Sequence, residues 1–243
     1  MKGVIMNAGE GKRLYPITKC ISKGLVPVYD KPALMYQISF FADMGITEAA
    51  VVISAEQEKS YRDFLGRIDT QGVSIRLYVQ KAGVGFLAAY ASCLDFMRGN
   101  DILMVMGDCL FFISDVQSLK MQAQRCFDQD KVGIVQGPAK AGENVAIFQR
   151  EADCETPVYR YRAAKRGELC PVGMHFVPKS LTYSVEAFIE PTNTELDAAA
   201  VSTLLIERRK LILPSLSPDD RWFDIGTAEQ LFQASSYVRS LVI

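Results

Sequence analysis

The sequence predicts an α/β fold: a doubly wound, Rossmann-like, mostly parallel sheet with a strand-rich second lobe. Three observations predict it. Apolar runs of strand length alternate with helix-period stretches through the first half. The run "ILMVM" at 102–106 is continuously apolar, as a strand covered on both faces must be. After about Lys131 the pattern changes to shorter strand candidates separated by turn-rich stretches.

In chain order, "GVIM" at 3–6 is the first strand candidate, and it runs into "NAGEGKRLYPITKCISKGLVPVYDKP". The first long helix follows over "PALMYQISFFADMG", where Leu34, Ile38, Phe41 and Met44 keep the three-or-four spacing of one face. Pro32 opens it and Gly45 follows it, the usual asymmetry of helix start and stop. "AAVVIS", "VSIRLYV" and "DILMVMGD" read as strands, with "EKSYRDFLGRI" and "GFLAAYASCLDFMRG" as the helices between them. The second half offers strands in "VGIVQG", "NVAIFQ", "PVYRYR" and "CPVGMHFV". A helix with a capping-type start, "TNTELDAAAVSTLLIERR", and a last helix from "TAEQLFQASSYVRS" complete the pattern. No repeat or linker interrupts it, so a single domain over 1–243 is expected, with halves at about 1–130 and 131–243.

Composition limits what this fold can do. With 243 residues, 49% of them hydrophobic, the chain can bury a full core. Lys and Arg number 27 against 28 Asp and Glu, a formal charge of −1, so no global basic field attracts nucleic acid or an anionic membrane. Any anion site must be local. No run has transmembrane length, and the start meets a glycine-rich basic stretch too soon for a signal peptide, so the cytoplasm is the expected location and no membrane partner is expected. Six cysteines without a C-x-x-C pair, and a single histidine, give a structural zinc site little support and read as reduced thiols.

The opening turn is the first candidate site. A strand running into a glycine-bearing turn lets backbone N–H groups converge on phosphate oxygens, and Gly9 and Gly11 fit such a cradle. "GEGKRL" lacks the first glycine and the Ser or Thr of a Walker A loop. A dinucleotide fingerprint would need a third glycine and an acidic residue after the next strand, where Leu14 and Ser54 stand. On these residues alone, a glycine turn with surface cations remains open.

Paired motifs change the balance. Gly9, Gly11, Lys12, Arg13, Leu14, Pro16 and Thr18, then Lys23, Pro27, Val28, Lys31 and Pro32, match G-x-G-[TK]-R-L-x-P-x-T followed by K-x-x-x-P-V-x-x-K-P. "MGDC" at 106–109 is similar to G-D-N, "RWFDIGT" at 221–227 to W-x-D-T-G-T, and "TELDAA" from Thr194 to G-E-L-E. The chain thereby resembles the sugar-1-phosphate nucleotidyltransferases, or sugar-nucleotide pyrophosphorylases, and among them most closely the glucose-1-phosphate thymidylyltransferases.

The resemblance implies that a sugar-1-phosphate oxygen attacks the α-phosphorus of a nucleoside triphosphate and pyrophosphate leaves. It implies Arg13 and Lys23 as catalytic cations, Ala8, Gly9, Gly11, Lys12, Gln80, Gly85 and Asp108 as nucleotide-binding residues, and Asp108 with Asp224 as carboxylates for Mg2+. Asn144, Arg162, Lys165, Gly173, His175 and Glu195 fall on the acceptor side, in the strand-rich substrate lobe. Residue by residue, Asp108 also reads as a strand-end turn and Asp224 as a helix cap, and His175 as a packed strand histidine.

Departures from the family pattern gather on the acceptor side. "YRYRAAKRGEL" carries no E-K-P, and Arg160, Arg162, Lys165 and Arg166 are the candidates to supply the phosphate cation in its place; Asn144 replaces a glycine, and Cys109 the asparagine of G-D-N. The donor expected is dTTP or UTP. Alternatives are a cytidylyltransferase, a transferase to a non-glucose phosphorylated acceptor, and a non-catalytic nucleotide-sugar-binding relative; a dehydrogenase is a formal third class. The expected partners are small molecules, and the expected assembly a monomer or homodimer.

Overall fold

A computed structural model describes residues 1–80, 86–149, 157–183 and 198–242. Gly85, Glu195, Cys154 and the capping start of the helix after Thr192 lie outside the described residues. The first half contains β1 (Lys2–Met6), the short pair β2 (Pro27–Val28) and β3 (Lys31–Pro32), α1 (Ala33–Asp43), β4 (Glu48–Ile53), α2 (Glu58–Leu65) and β5 (Ser74–Val79). It continues through α3 (Phe86–Ser92), α4 (Leu94–Met97), β6 (Ile102–Met106), β7 (Cys109–Phe112) and α5 (Val116–Asp128). Then come β8 (Val132–Pro138), β9 (Asn144–Gln149), β10 (Val158–Ala163), β11 (Leu169–Val177), α6 (Ala198–Glu207), β12 (Leu211–Ile212), β13 (Arg221–Asp224) and α7 (Ala228–Val242).

Seven strands form one sheet in the order β12-β8-β11-β6-β1-β4-β5. Every pairing is parallel except those of β11, which runs against both β6 and β8. The expected mostly parallel sheet is therefore present, and β8, β11 and β12 of the second half complete it. The remaining strands among the described residues form three separate antiparallel pairs, β2–β3, β9–β10 and β7–β13.

The unbroken apolar runs have a plain cause. Val4, Val52 and Met104 face one helical layer while Ile5, Val51 and Val105 face the other, and all six are fully buried. A strand sandwiched between helices has no solvent face on which to place polar residues. The expected long helix after Gly85 is broken into α3 and α4 at Cys93. Helix α5 is an element the pattern reading does not single out, yet its signals exist: Asp115 caps it by accepting the Ser118 N–H at 3.0 Å, and Leu119, Ala123 and Cys126 bury one face.

Strand order locates the site. From β1 the chain moves outward on one side through β4 and β5, then returns to place β6 on the other side. The carboxyl ends of β1 and β6 thus flank the switch point of the sheet, where a doubly wound fold opens a crevice. Asn7–Gly11 and Asp108 emerge there.

The β6–β7 turn that carries Asp108 is braced from below. Gln37 on α1 is almost wholly buried, and its Nε2 donates to the carbonyls of Met106 at 3.0 Å and Cys109 at 3.1 Å. Replacing Gln37 with leucine strands both carbonyls, each unmade buried bond costing about 1–3 kcal/mol. Urea denaturation is expected to show a loss of about 2 kcal/mol or more.

Candidate active site

Asp108, near the middle of the sequence, and Asp224, close to its end, are brought together by β7 and β13. In that antiparallel pair Asp224 stands opposite Cys109, and the Ile225 N–H donates to the Asp108 carbonyl at 2.8 Å. Both carboxylates line a cavity of about 600 Å³. Each meets a cation from the opening loop. The Lys23 ammonium pairs with Asp108, both side chains being mostly shielded from water, and the Arg13 guanidinium reaches Asp224 at 3.7 Å.

The loop owes its shape to glycines and close packing. Gly11 has φ of 68°, and a Cβ there would stand 3.0 Å from the Thr18 methyl and 3.3 Å from Lys23 Cβ. Only glycine lets the turn bring Lys23 in so tightly. Thr18 closes the turn by donating its hydroxyl to the Gly11 carbonyl at 2.7 Å. Lys12 pairs with Glu10 at 3.1 Å, both side chains exposed. Gly9 faces open space, Ala8 is half-buried, and Gln80 follows β5, its backbone N–H donating to Ile53 at 2.8 Å. These residues ring the carboxyl edge of the parallel strands, beside the cavity and outside its lining.

On the other side the structure brings Asn144, Gly173 and His175 to the cavity and leaves Arg162 and Lys165 outside its lining. Arg162 is held by Glu168 through two hydrogen bonds of 2.8 Å, and this contact draws the half-buried Glu168 carboxyl down to about 2. Tyr159 and Tyr161, from the opposite face of β10, line the cavity instead, and Lys140 is a cation there that the sequence reading did not name. Gly173, at φ 74°, lies so close to Cys109 that a Cβ would stand 2.6 Å from its sulfur.

Further contributors were not singled out in the sequence. Gly226 lets Arg13 pass over the chain: a Cβ there would meet the guanidinium at 2.4 Å and Asp224 Oδ1 at 2.7 Å. Asn7 is buried against both Gly24 and Gly107, and its Nδ2 has no hydrogen-bond partner among the described residues. The five described cysteines, Cys20, Cys93, Cys109, Cys126 and Cys170, are free thiols. Burial, with Asp108 adjacent, pushes the Cys109 thiol well above its ordinary range, so it stays protonated.

Burial and the neighbouring Asp108 also raise the Asp224 pKa above the ordinary carboxylate value. A carboxyl whose folded pKa is raised costs stability once pH exceeds its unfolded value of about 3.9, because the unfolded chain releases the proton more readily. Asp224→Asn is therefore expected to raise the melting temperature of the metal-free protein at pH 7 by a few degrees. The gain should vanish below the unfolded carboxylate pKa; calorimetry across pH checks it.

Two carboxylate ligands are a sparse set, and among the described residues no cluster of three or more His, Cys, Asp or Glu could hold a metal ion. The donors suit a hard cation that takes its remaining ligands from phosphate and water, as Mg2+ does. Across the described residues no helix is long and apolar enough to cross a membrane.

Comparison with known proteins identifies the family and the fold. The nucleotidyl transferase family model matches residues 2–142. A glucose-1-phosphate thymidylyltransferase of Neisseria meningitidis is 28% identical over 99% of this chain and 83% of its own length. One from Mycobacterium tuberculosis is 25% identical with the same coverage. Among solved structures, a Bacillus anthracis protein described as a glucose-1-phosphate thymidylyltransferase, in complex with sucrose, superposes with a TM-score of 0.83 at 22% identity, over 98% of this chain and 95% of that one. Apo UDP-glucose pyrophosphorylase does so with a TM-score of 0.79 at 15% identity, over the whole of both chains. With more than half its length matched, a shared fold and the opening motifs in place, the chain is an enzyme that belongs to the nucleotidyl transferase family.

Proposed function

We propose that the chain transfers a nucleoside monophosphate from dTTP or UTP to a sugar-1-phosphate or related phosphorylated acceptor, giving an NDP-sugar and pyrophosphate. The observation that carries this reading is the convergence of Lys23, Arg13, Asp108 and Asp224 at one end of a single cavity. Two cations and two carboxylates suit a reaction whose demand is to hold and neutralise phosphate oxygens while an in-line displacement occurs.

In this reading Asp108 and Asp224 hold Mg2+, which when bound neutralises charge on the phosphates. Lys23 lies beside the α-phosphate and the attacking acceptor oxygen. Arg13 steadies the departing pyrophosphate. The turn at Ala8, Gly9, Gly11 and Lys12 offers N–H groups to the triphosphate, and Gln80 and Gly85 read the base. No side chain needs to act as nucleophile, and none needs to act as general base. Burial lowers the His175 pKa to about 4, so its imidazole is neutral at physiological pH and serves as a hydrogen-bonding group for the acceptor, with Asn144 and Gly173 beside it. Because the later strands complete the sheet begun by the earlier ones, we take both halves as one domain.

A pyrophosphate-release assay crossing dTTP, UTP, CTP, ATP and GTP with a panel of sugar-1-phosphates tests the reading. Release is expected with a pyrimidine donor and magnesium. Nucleotide binding without release from any pair would overturn it.

A further inference from the structure

The cavity continues well past the carboxylates. Gly173, His175 and Val177 line it from alternate positions of β11; Gly173 packs against Cys109, beside Asp108, while Val177 stands opposite Ile102 at the far end of β6. The lining thus follows the strand for roughly 13 Å, at about 3.3 Å per residue. One pyranose ring is shorter than this.

The two ends differ in chemistry. At the far end Val132 and Ile134 of β8, Val177 of β11, and Val201 and Leu205 of α6 form the walls, all shielded from bulk solvent. Among the described residues, the charged groups lining the cavity are Arg13, Asp108 and Asp224 at the carboxylate end, and the exposed Lys140 and Glu143 beyond the opposite end of β8. His175 stands between the two regions, its Nδ1 without a hydrogen-bond partner among the described residues. The walls there are mainly aliphatic, with the buried Ser202 hydroxyl of α6 among them, so a sugar hydroxyl moved past His175 would shed its water at a cost, whereas an apolar group placed there would gain by leaving water.

We propose that the acceptor is a phosphate monoester whose end remote from the phosphate carries an alkyl, acyl or aryl group, and that this group occupies the space between β8, β11 and α6. The proposal rests on the phosphoryl-transfer reading above and adds the substrate class. It accounts for β10 presenting Tyr159 and Tyr161 to the cavity and turning Arg162 outward to Glu168.

The test uses n-alkyl monophosphates from methyl to octyl, with binding measured by titration calorimetry. Trp222, the single tryptophan of the chain, lines the cavity and reports locally by fluorescence. Affinity is expected to rise about fourfold for each methylene that becomes buried, then level off when the far end is full. Ser202 lines the cavity from α6, so Ser202→Leu should bring the plateau to shorter chains; Val177→Asn should flatten the rise while methyl phosphate binds as before. An affinity independent of chain length overturns the proposal, as does a rise that neither variant changes. Pyrophosphate release, measured in parallel, separates the two readings. Turnover of glucose 1-phosphate with a flat alkyl series refutes the apolar subsite alone, and a steep alkyl series without release from any donor refutes the transfer reading alone.

Discussion

Replacing Asp108 with asparagine is expected to lower kcat/KM for pyrophosphate release by about 100- to 1,000-fold, the scale set by removing one preorganised electrostatic contact in a site shielded from water. Two losses combine. The neutral amide is a poor ligand for a hard divalent cation, and Lys23 is left mostly shielded without its anionic partner. Because both effects fall on phosphate charge as it redistributes, kcat should fall more than KM rises. The nucleotide should still bind, since the glycine turn lies on another strand end. A variant that keeps its activity within tenfold, with an unchanged melting curve, would remove Asp108 from the metal reading.

Gly107→Ala is expected to cost about 3 kcal/mol of stability, at the upper end for overpacking, and to abolish measurable transfer. An added Cβ would stand 2.3 Å from Asn7 Oδ1 and 2.7 Å from the Met6 carbonyl, the carbonyl that accepts the Gly107 N–H at 2.9 Å. Asn7 cannot retreat. On its other side Gly24 would offer a Cβ only 1.9 Å from Asn7 Nδ2, so there the glycine already makes all the room available. The double variant Asn7→Ala with Gly107→Ala should recover part of the loss, because the side chain it strikes is gone; the Met6 carbonyl remains, so recovery stays incomplete. Chemical denaturation of the four chains in this cycle measures the coupling.

How far the sequence reached depended on whether local chemistry or long-range register decided the outcome. Gly11, Lys23 and Arg13 were legible through the family's paired motifs, which they match within one loop; the glycine turn alone left a plain surface turn open. Asp108 was legible through the likeness of "GDC" to the family's G-D-N, while the apolar strand before it announced only a strand end. The acceptor side was not. "VYRYRA" alternates with period two, which tells that tyrosines and arginines occupy opposite faces of β10 but not which face meets the cavity. That choice is made by pairing with β9, six residues long and set by contacts along the whole hairpin. Arg162 was accordingly assigned to the acceptor although it turns out toward Glu168, and Lys140 was passed over because it lies in a turn with no motif around it. Gln37 was invisible for a similar reason, and Gly226 was covered by a motif whose need for a glycine shows only against Arg13, since each matters through a partner distant in sequence.

The pairing of β7 with β13 has a consequence for how the protein is made. Asp108 leaves the ribosome with most of the parallel sheet behind it, whereas Asp224 arrives only after α6 and just before α7. A nascent chain can therefore assemble the glycine turn, the braced loop and the first carboxylate while the second is still unsynthesised. Closing so long a loop for one four-residue ladder gives little reward until its neighbours are in place, so it belongs among the late and slow events of folding. Catalytic competence should then trail the appearance of native-like secondary structure during refolding, and a chain stalled before β13 would hold its fold's first half without the means to do chemistry.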